Sequence, residues 1–177
     1  MSRLATAPVV KLIMSVLSPA PDLIGQAVGV VSDLYGEADF VSALLPFDYT
    51  DYYAAEMGAP LYRRFVAFER LMPPETLPDV KRRTLEAEEQ WTEGGRRRVN
   101  IDPGYLAEAH LILATGKGYA HRPYLRDGVY ADLTLVYQQQ AFRPLAWTYP
   151  DYGSPDVRAL FEKIRAKYLL QRKETRL

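Results

Sequence analysis

Asp127-Gly-Val-Tyr-Ala-Asp-Leu-Thr-Leu-Val-Tyr137 decides the fold class. Val129, Ala131, Leu133, Leu135 and Tyr137 alternate with Tyr130, Asp132, Thr134 and Val136, the period of a strand with one face buried. Asp127-Gly128 just before it is a hairpin signal, because both central positions of such a turn favour left-handed backbone. A strand entered through so short a turn runs antiparallel to the one before it. Downstream, residues 141–147 predict another strand of the same meander. Ser154 then caps a helix with Pro155 at its first position, and Val157, Leu160, Phe161, Ile164 and Tyr168 form its apolar stripe. The tail from Gln171 is expected to fray.

Upstream, residues 9–17 form an apolar run that reads as a buried strand, too short for a membrane span. Nor does it resemble a signal peptide, since no small-residue cleavage site follows. Pro19 and Pro21 break the chain, and Leu23, Ala27, Val30, Val31 and Leu34 follow at helical spacing up to Gly36. Strands are expected at 40–45, 62–72 and 96–101. A second helix is marked by Leu77, Val80, Thr84, Ala87 and Trp91. Residues 103–116 admit two readings. One is a helix capped by Asp102 with Pro103 at its first position; the other is a turn followed by a strand over 110–115. The helix is preferred. The whole predicts one α+β domain spanning 1–177, a mixed but largely antiparallel sheet covered by three to four helices.

Composition narrows the chemistry. The 177 residues can bury roughly 70% of their unfolded surface, so no covalent or metal staple is required. With no cysteine and two histidines, thiolate zinc sites, iron–sulfur clusters, disulfides and cysteine nucleophiles are excluded. A cytoplasmic location is the expectation. Charge is uneven: residues 1–62 hold two basic and seven acidic side chains, residues 158–177 seven basic and two acidic. A basic final helix is compatible with RNA contact, but a pI near 6.7 argues against a dedicated nucleic-acid binder.

Four polar clusters carry the candidate chemistry. In Pro46-Phe-Asp-Tyr-Thr-Asp-Tyr-Tyr53, Asp48 and Asp51 lie three apart, suited to one hard cation such as magnesium or to a general base. Such aspartates also shape turns. Arg63 and Arg64 suit phosphate or carboxylate, but adjacent strand residues face opposite ways, so only one can enter a given pocket; Arg64 is taken as the ligand residue. Arg98, Asn100 and Asp102 alternate along a predicted strand, followed by Tyr105. Thr115-Gly-Lys-Gly-Tyr-Ala-His-Arg122 offers Lys117, His121 and Arg122, without P-loop spacing. His121 suits acid–base work near neutral pH.

Several of these segments, in order, resemble the prokaryotic family called domain of unknown function 4416. They are Pro46–Tyr53, Leu61-Tyr-Arg-Arg-Phe65, Phe68-Glu-Arg-Leu71, Arg98-Val-Asn-Ile-Asp-Pro-Gly-Tyr-Leu106, His121-Arg122 with Tyr124-Leu125, Gly128–Leu135 and Trp147-Thr-Tyr-Pro-Asp-Tyr152. Pro123 and Asp132 depart from the family pattern, where isoleucine and glutamate are expected. The resemblance implies a small bacterial or archaeal single-domain protein and no particular activity.

The functional expectation is a small anionic or phosphorylated ligand in a cleft lined by Asp48, Asp51, Arg98, Asn100, Asp102, His121 and Arg122. Divalent-metal-assisted hydrolysis or group transfer would follow from the carboxylates, with the arginines clamping the anion. Two alternatives stand beside it: a non-catalytic interaction module using the thirteen tyrosines and two tryptophans, and an RNA-associated factor using the basic C-terminal helix with Tyr149 or Tyr152. Oligomeric state is left open.

Overall fold

The computed structural model describes residues 3–50 and 52–174. β1 (Val10–Ser18) leads through α1 (Pro21–Tyr35) to two short strands, β2 (Ala38–Val41) and β3 (Leu45–Phe47). After α2 (Ala54–Met57) come β4 (Leu61–Met72) and α3 (Leu77–Glu88). A small hairpin, β5 (Thr92–Glu93) with β6 (Arg96–Arg97), precedes β7 (Asn100–Leu106) and β8 (His110–Thr115). The chain ends on β9 (Tyr124–Arg126), β10 (Val129–Gln138), β11 (Ala141–Pro144), α4 (Pro150–Gly153) and α5 (Pro155–Glu174).

Nine strands form one sheet in the order β11-β10-β8-β7-β1-β4-β2, with β3 beside β4 and β9 beside β10, and every neighbouring pair is antiparallel. β4 and β7 therefore run parallel on either side of β1, and α3 is the crossover between them. β1 sits at the centre, and each of its nine residues is buried.

The two faces of the sheet carry separate cores. Leu12, Met14, Val16, Val66, Phe68 and Ile101 pack against Ile24, Ala27 and Val31 of α1 and Val80 and Ala87 of α3. Ile13, Phe65, Leu106, Leu111 and Leu135 pack against Phe161, Ile164 and Tyr168 of α5. The α+β reading is thus shown, with a helix layer on each face. Lys11 lies within the second face, wholly buried. Its ammonium bonds Asp39 Oδ2 (2.7 Å), the Phe68 carbonyl (2.9 Å) and Gln171 Oε1 (2.8 Å). Gln171, expected to fray, is instead a helical residue that holds the first strand.

The preferred helix over 103–116 is not formed; β7 and β8 make a hairpin there. Gly104 is the physical reason: a Cβ on it would stand 2.3 Å from the Ile112 carbonyl oxygen, so only glycine lets these strands close. Pro103, which has no N–H, sits where the pairing ends, and β8 meets β7 only over Gly104–Leu106. Other boundaries move slightly. The 40–45 strand is two strands interrupted at Ser42, whose hydroxyl bonds the Phe65 N–H. The expected strand at 96–101 divides between β6 and β7. Asp127 and Gly128 both have positive φ (53° and 77°), as the hairpin turn requires.

Candidate functional site

β10 departs from strict alternation. A bulge between Leu133 and Leu135 moves Leu135 to the α5 face, while Leu133 stays on the α3 face. The carbonyls freed at the bulge are taken by the following loop: Trp147 Nε1 donates to Leu133 O (2.8 Å) and the Thr148 hydroxyl to Thr134 O (2.5 Å). Asp132, just before the bulge, and Thr134, within it, are buried at 1% and 0% exposure. Asp132 Oδ2 accepts from Arg122 Nε at 2.7 Å, and His121 Nε2 lies 3.6 Å from the same oxygen. Arg122 also donates to the Lys117 carbonyl (3.2 Å) and the Tyr149 hydroxyl (2.6 Å), one bond from each of its three nitrogens. His121 stacks on Trp147 with centroids 4.9 Å apart. Its Nε2 is buried without a hydrogen-bond partner.

A second set of charges lies where β8 has left β7. Asp102 pairs in register with Ser15, on the α5 side of the sheet. Its Oδ2 accepts from Asn100 Nδ2 (2.7 Å), and its Oδ1 lies 3.2 Å from Lys81 Nζ. Lys81 belongs to α3, so it reaches Asp102 past the open edge of β7. Glu88, two turns further along α3, takes the Ile101 N–H (2.7 Å) that β8 does not. Arg97 then bridges Glu88, Asn100 and Glu56.

A third pair joins them from β4 and α4. Arg63 bonds Asp151 and is boxed by the rings of Phe47, Phe65 and Tyr152, with its Nε buried and unpartnered.

These three sets share one electrostatic neighbourhood. Burial would raise the Asp102 pKa, but the Lys81 ammonium, the Asn100 amide and the Arg63 guanidinium outweigh it and hold the carboxyl below its usual range. Burial pushes the Tyr149 phenol up, and Asp132, Asp102 and Asp151 add to this against Arg122. Tyr53 is raised the same way, by burial and then by Asp102. Glu88 is raised by burial, against the Ile101 N–H and the cations of Lys81 and Arg97. Asp102 stands apart from the other buried carboxylates. A third of its side-chain surface is reachable, against 2% for Asp132 and 7% for Asp151. Of these buried carboxylates it is the one that solvent reaches.

Of the residues expected from sequence, Asn100, Asp102, His121 and Arg122 come together here. Lys117 lies at the rim, with its ammonium over the Tyr52 ring. Four do not join them. Arg64 faces the other way and bonds the Ser42 carbonyl, so Arg63 is the inward member of that pair. Arg98 precedes β7 rather than lying on its polar face, and it pairs with Glu93 at 2.7 Å. Tyr105 packs on the α3 side. Asp48 is exposed beyond β3. Asp51 lies outside the described residues. Among the described residues no group of three or more His, Asp or Glu side chains is arranged to hold a metal.

Sequence reading missed Arg63, Lys81, Glu88 and Asp151 as site residues. The signal for two of them is present: Lys81 and Glu88 fall on the buried stripe of α3 with Leu77, Val80, Thr84 and Ala87. Charge on an apolar stripe marks a buried partner.

Two open depressions, of about 450 and 420 Å³, lie away from these groups. The charged cluster is taken as the candidate site because titratable groups withdrawn from water and set against one another are what acid–base or recognition chemistry needs. No helix of the described residues is long and apolar enough to cross a membrane. No curated protein and no solved structure matches the chain. The family model does match, over residues 8–168, and the chain belongs to the family described as domain of unknown function 4416.

Proposed function

We propose that this protein binds a small anionic ligand where solvent reaches the charged cluster, at Asp102 and Lys81. The observation that carries the reading is a group of buried nitrogens with hydrogen-bonding capacity left over. Arg63 Nε and His121 Nε2 are buried and unpartnered, and the Lys81 ammonium, with three N–H groups, has Asp102 as its hydrogen-bond partner. A buried donor left unmade costs about 1–3 kcal/mol. A ligand rich in oxygen, such as a phosphorylated sugar, supplies the missing acceptors. Asp102, kept ionised, accepts a proton or a hydroxyl hydrogen bond from it. The exposed rings of Trp147, Tyr149 and Tyr52 form the rim. The reading takes the protein to be prokaryotic and cytoplasmic.

Thermal unfolding against phosphate, sugar phosphates and nucleotides tests it, with Lys81→Met and His121→Gln in parallel. A ligand at a hundred times its Kd adds about 2.7 kcal/mol of stability. The expected result is a shift in the wild type that shrinks in both variants. A flat panel, or a shift that neither variant alters, sinks the reading.

A second reading rests on the same rim. Tyr119, Tyr52 and Tyr124 are 70%, 60% and 59% exposed, and together with Tyr49, Leu125, Trp147 and Tyr149 they suit a protein-contact surface. Size-exclusion chromatography of Tyr52→Ser/Tyr119→Ser tests its simplest form, self-association: elution later than the wild type supports it, and identical elution counts against it.

A further inference from the structure

On the opposite face of the sheet, the end of α1, the last residues of β4 and the first turns of α3 enclose the open depression of about 420 Å³. That volume lies within the range of small-molecule sites. Met72 and Pro73 give it apolar surface over the buried Leu12 and Val80, and Leu34, 42% exposed, stands at its edge. Its charged lining is lopsided: Arg70, Arg82 and Arg83 against Asp79.

Asp79 is already committed. It accepts from both terminal nitrogens of Arg126 (3.2 and 2.5 Å) and lies 3.7 Å from Arg82. Arg82 is shared further with Glu86 at 3.8 Å. Arg70 and Arg83 have no carboxylate within ion-pairing distance among the described residues, and both are exposed. Tyr35 also lines the depression, and its hydroxyl is buried without a partner. Burial pushes that phenol up to about 12, while Arg83 lies close enough to oppose the shift, so the hydroxyl and the guanidinium share one neighbourhood. An apolar floor, two uncommitted guanidinium groups and an unused hydroxyl describe a receptor for a molecule with an apolar body and one anionic head.

We propose that this depression is a second ligand site, independent of the Asp102 cluster, that takes a small amphipathic anion: an alkyl or aryl carboxylate or phosphate. The apolar body lies on Leu34, Met72 and Pro73. The head is held by Arg70 and Arg83, and the Tyr35 hydroxyl donates to it.

Isothermal titration of the full chain with octyl phosphate, octanoate and octanol tests this. The expected result is one saturable site for both anions and markedly weaker binding of the alcohol. Arg70→Gln and Arg83→Gln, both at exposed positions, each weaken the anions about tenfold while leaving the unfolding midpoint of the free protein in place. Tyr35→Phe weakens them less, and Asp102→Asn, on the other face, leaves them unchanged. Absence of binding by both anions overturns the proposal. So does octanol binding as tightly as octanoate, or anion binding that survives the Arg70→Gln/Arg83→Gln double substitution.

Discussion

Asp102 shows how much a single position can decide. It is ionised in the folded protein at a lower pH than in the unfolded chain, because Lys81, Asn100 and Arg63 outweigh the cost of enclosing it. A depressed carboxylate contributes stability that is fully present above its unfolded pKa, near 3.9, and is lost as pH falls through the lower folded value. Asp102→Asn is therefore expected to flatten the acid limb of a plot of unfolding midpoint against pH. The measurement is thermal melting between pH 2 and 7. An acid limb as steep as that of the wild type would show that Asp102 is not coupled to its neighbours in this way. Lys81 explains why sequence alone stops short here. Its position on the α3 stripe marks it as buried, yet nothing local says that its partner lies 21 residues away past the open edge of another strand.

At the scale of elements, the hairpin around Asp127-Gly128 and the last helix were legible because each rests on local chemistry, a turn with positive φ and a Ser154-Pro155 cap. The β7–β8 hairpin was not. Asp102-Pro103-Gly104 satisfies every local rule for a helix start, and only the approach of Ile112 to Gly104 reveals why the glycine is there. The same holds for the β10 bulge, which a strict alternation of apolar residues conceals. Gly104→Ala is expected to separate the two strands. Overpacking of this kind typically costs about 1–3 kcal/mol, and a backbone oxygen as the clashing atom places it at the upper end. Urea unfolding reads this as a fall in midpoint at constant slope. A midpoint within error of the wild type would mean that the strands can part without cost.

Across the whole molecule, the order of strands predicts an order of opening. β1 has partners on both edges and helices over both faces, whereas β11 and β9 each pair along one edge. Hydrogen exchange followed by mass spectrometry should find the β1 amides last to exchange, at the free energy of global unfolding, and the β9 and β11 amides well before them. Exchange of β1 ahead of either edge strand would contradict the layered core. The uneven charge along the chain also resolves at this scale. Lys167 of the basic helix pairs with Asp39 and Arg172 with Glu108, so part of the positive charge of α5 is spent on the sheet.

Lys11 and Gln171 are separated by 160 positions yet share a hydrogen bond. The central strand leaves the ribosome well before α5, whose Gln171 supplies one of the three acceptors of the buried Lys11 ammonium; Asp39 and the Phe68 carbonyl supply the others. Until α5 is delivered, Lys11 lacks its third acceptor, and the Ile13 face of β1 lacks the cover of Phe161, Ile164 and Tyr168. Nascent chains halted before α5 should therefore leave that face of the sheet open and easily proteolysed, so that the fold is completed only once α5 has followed the sheet.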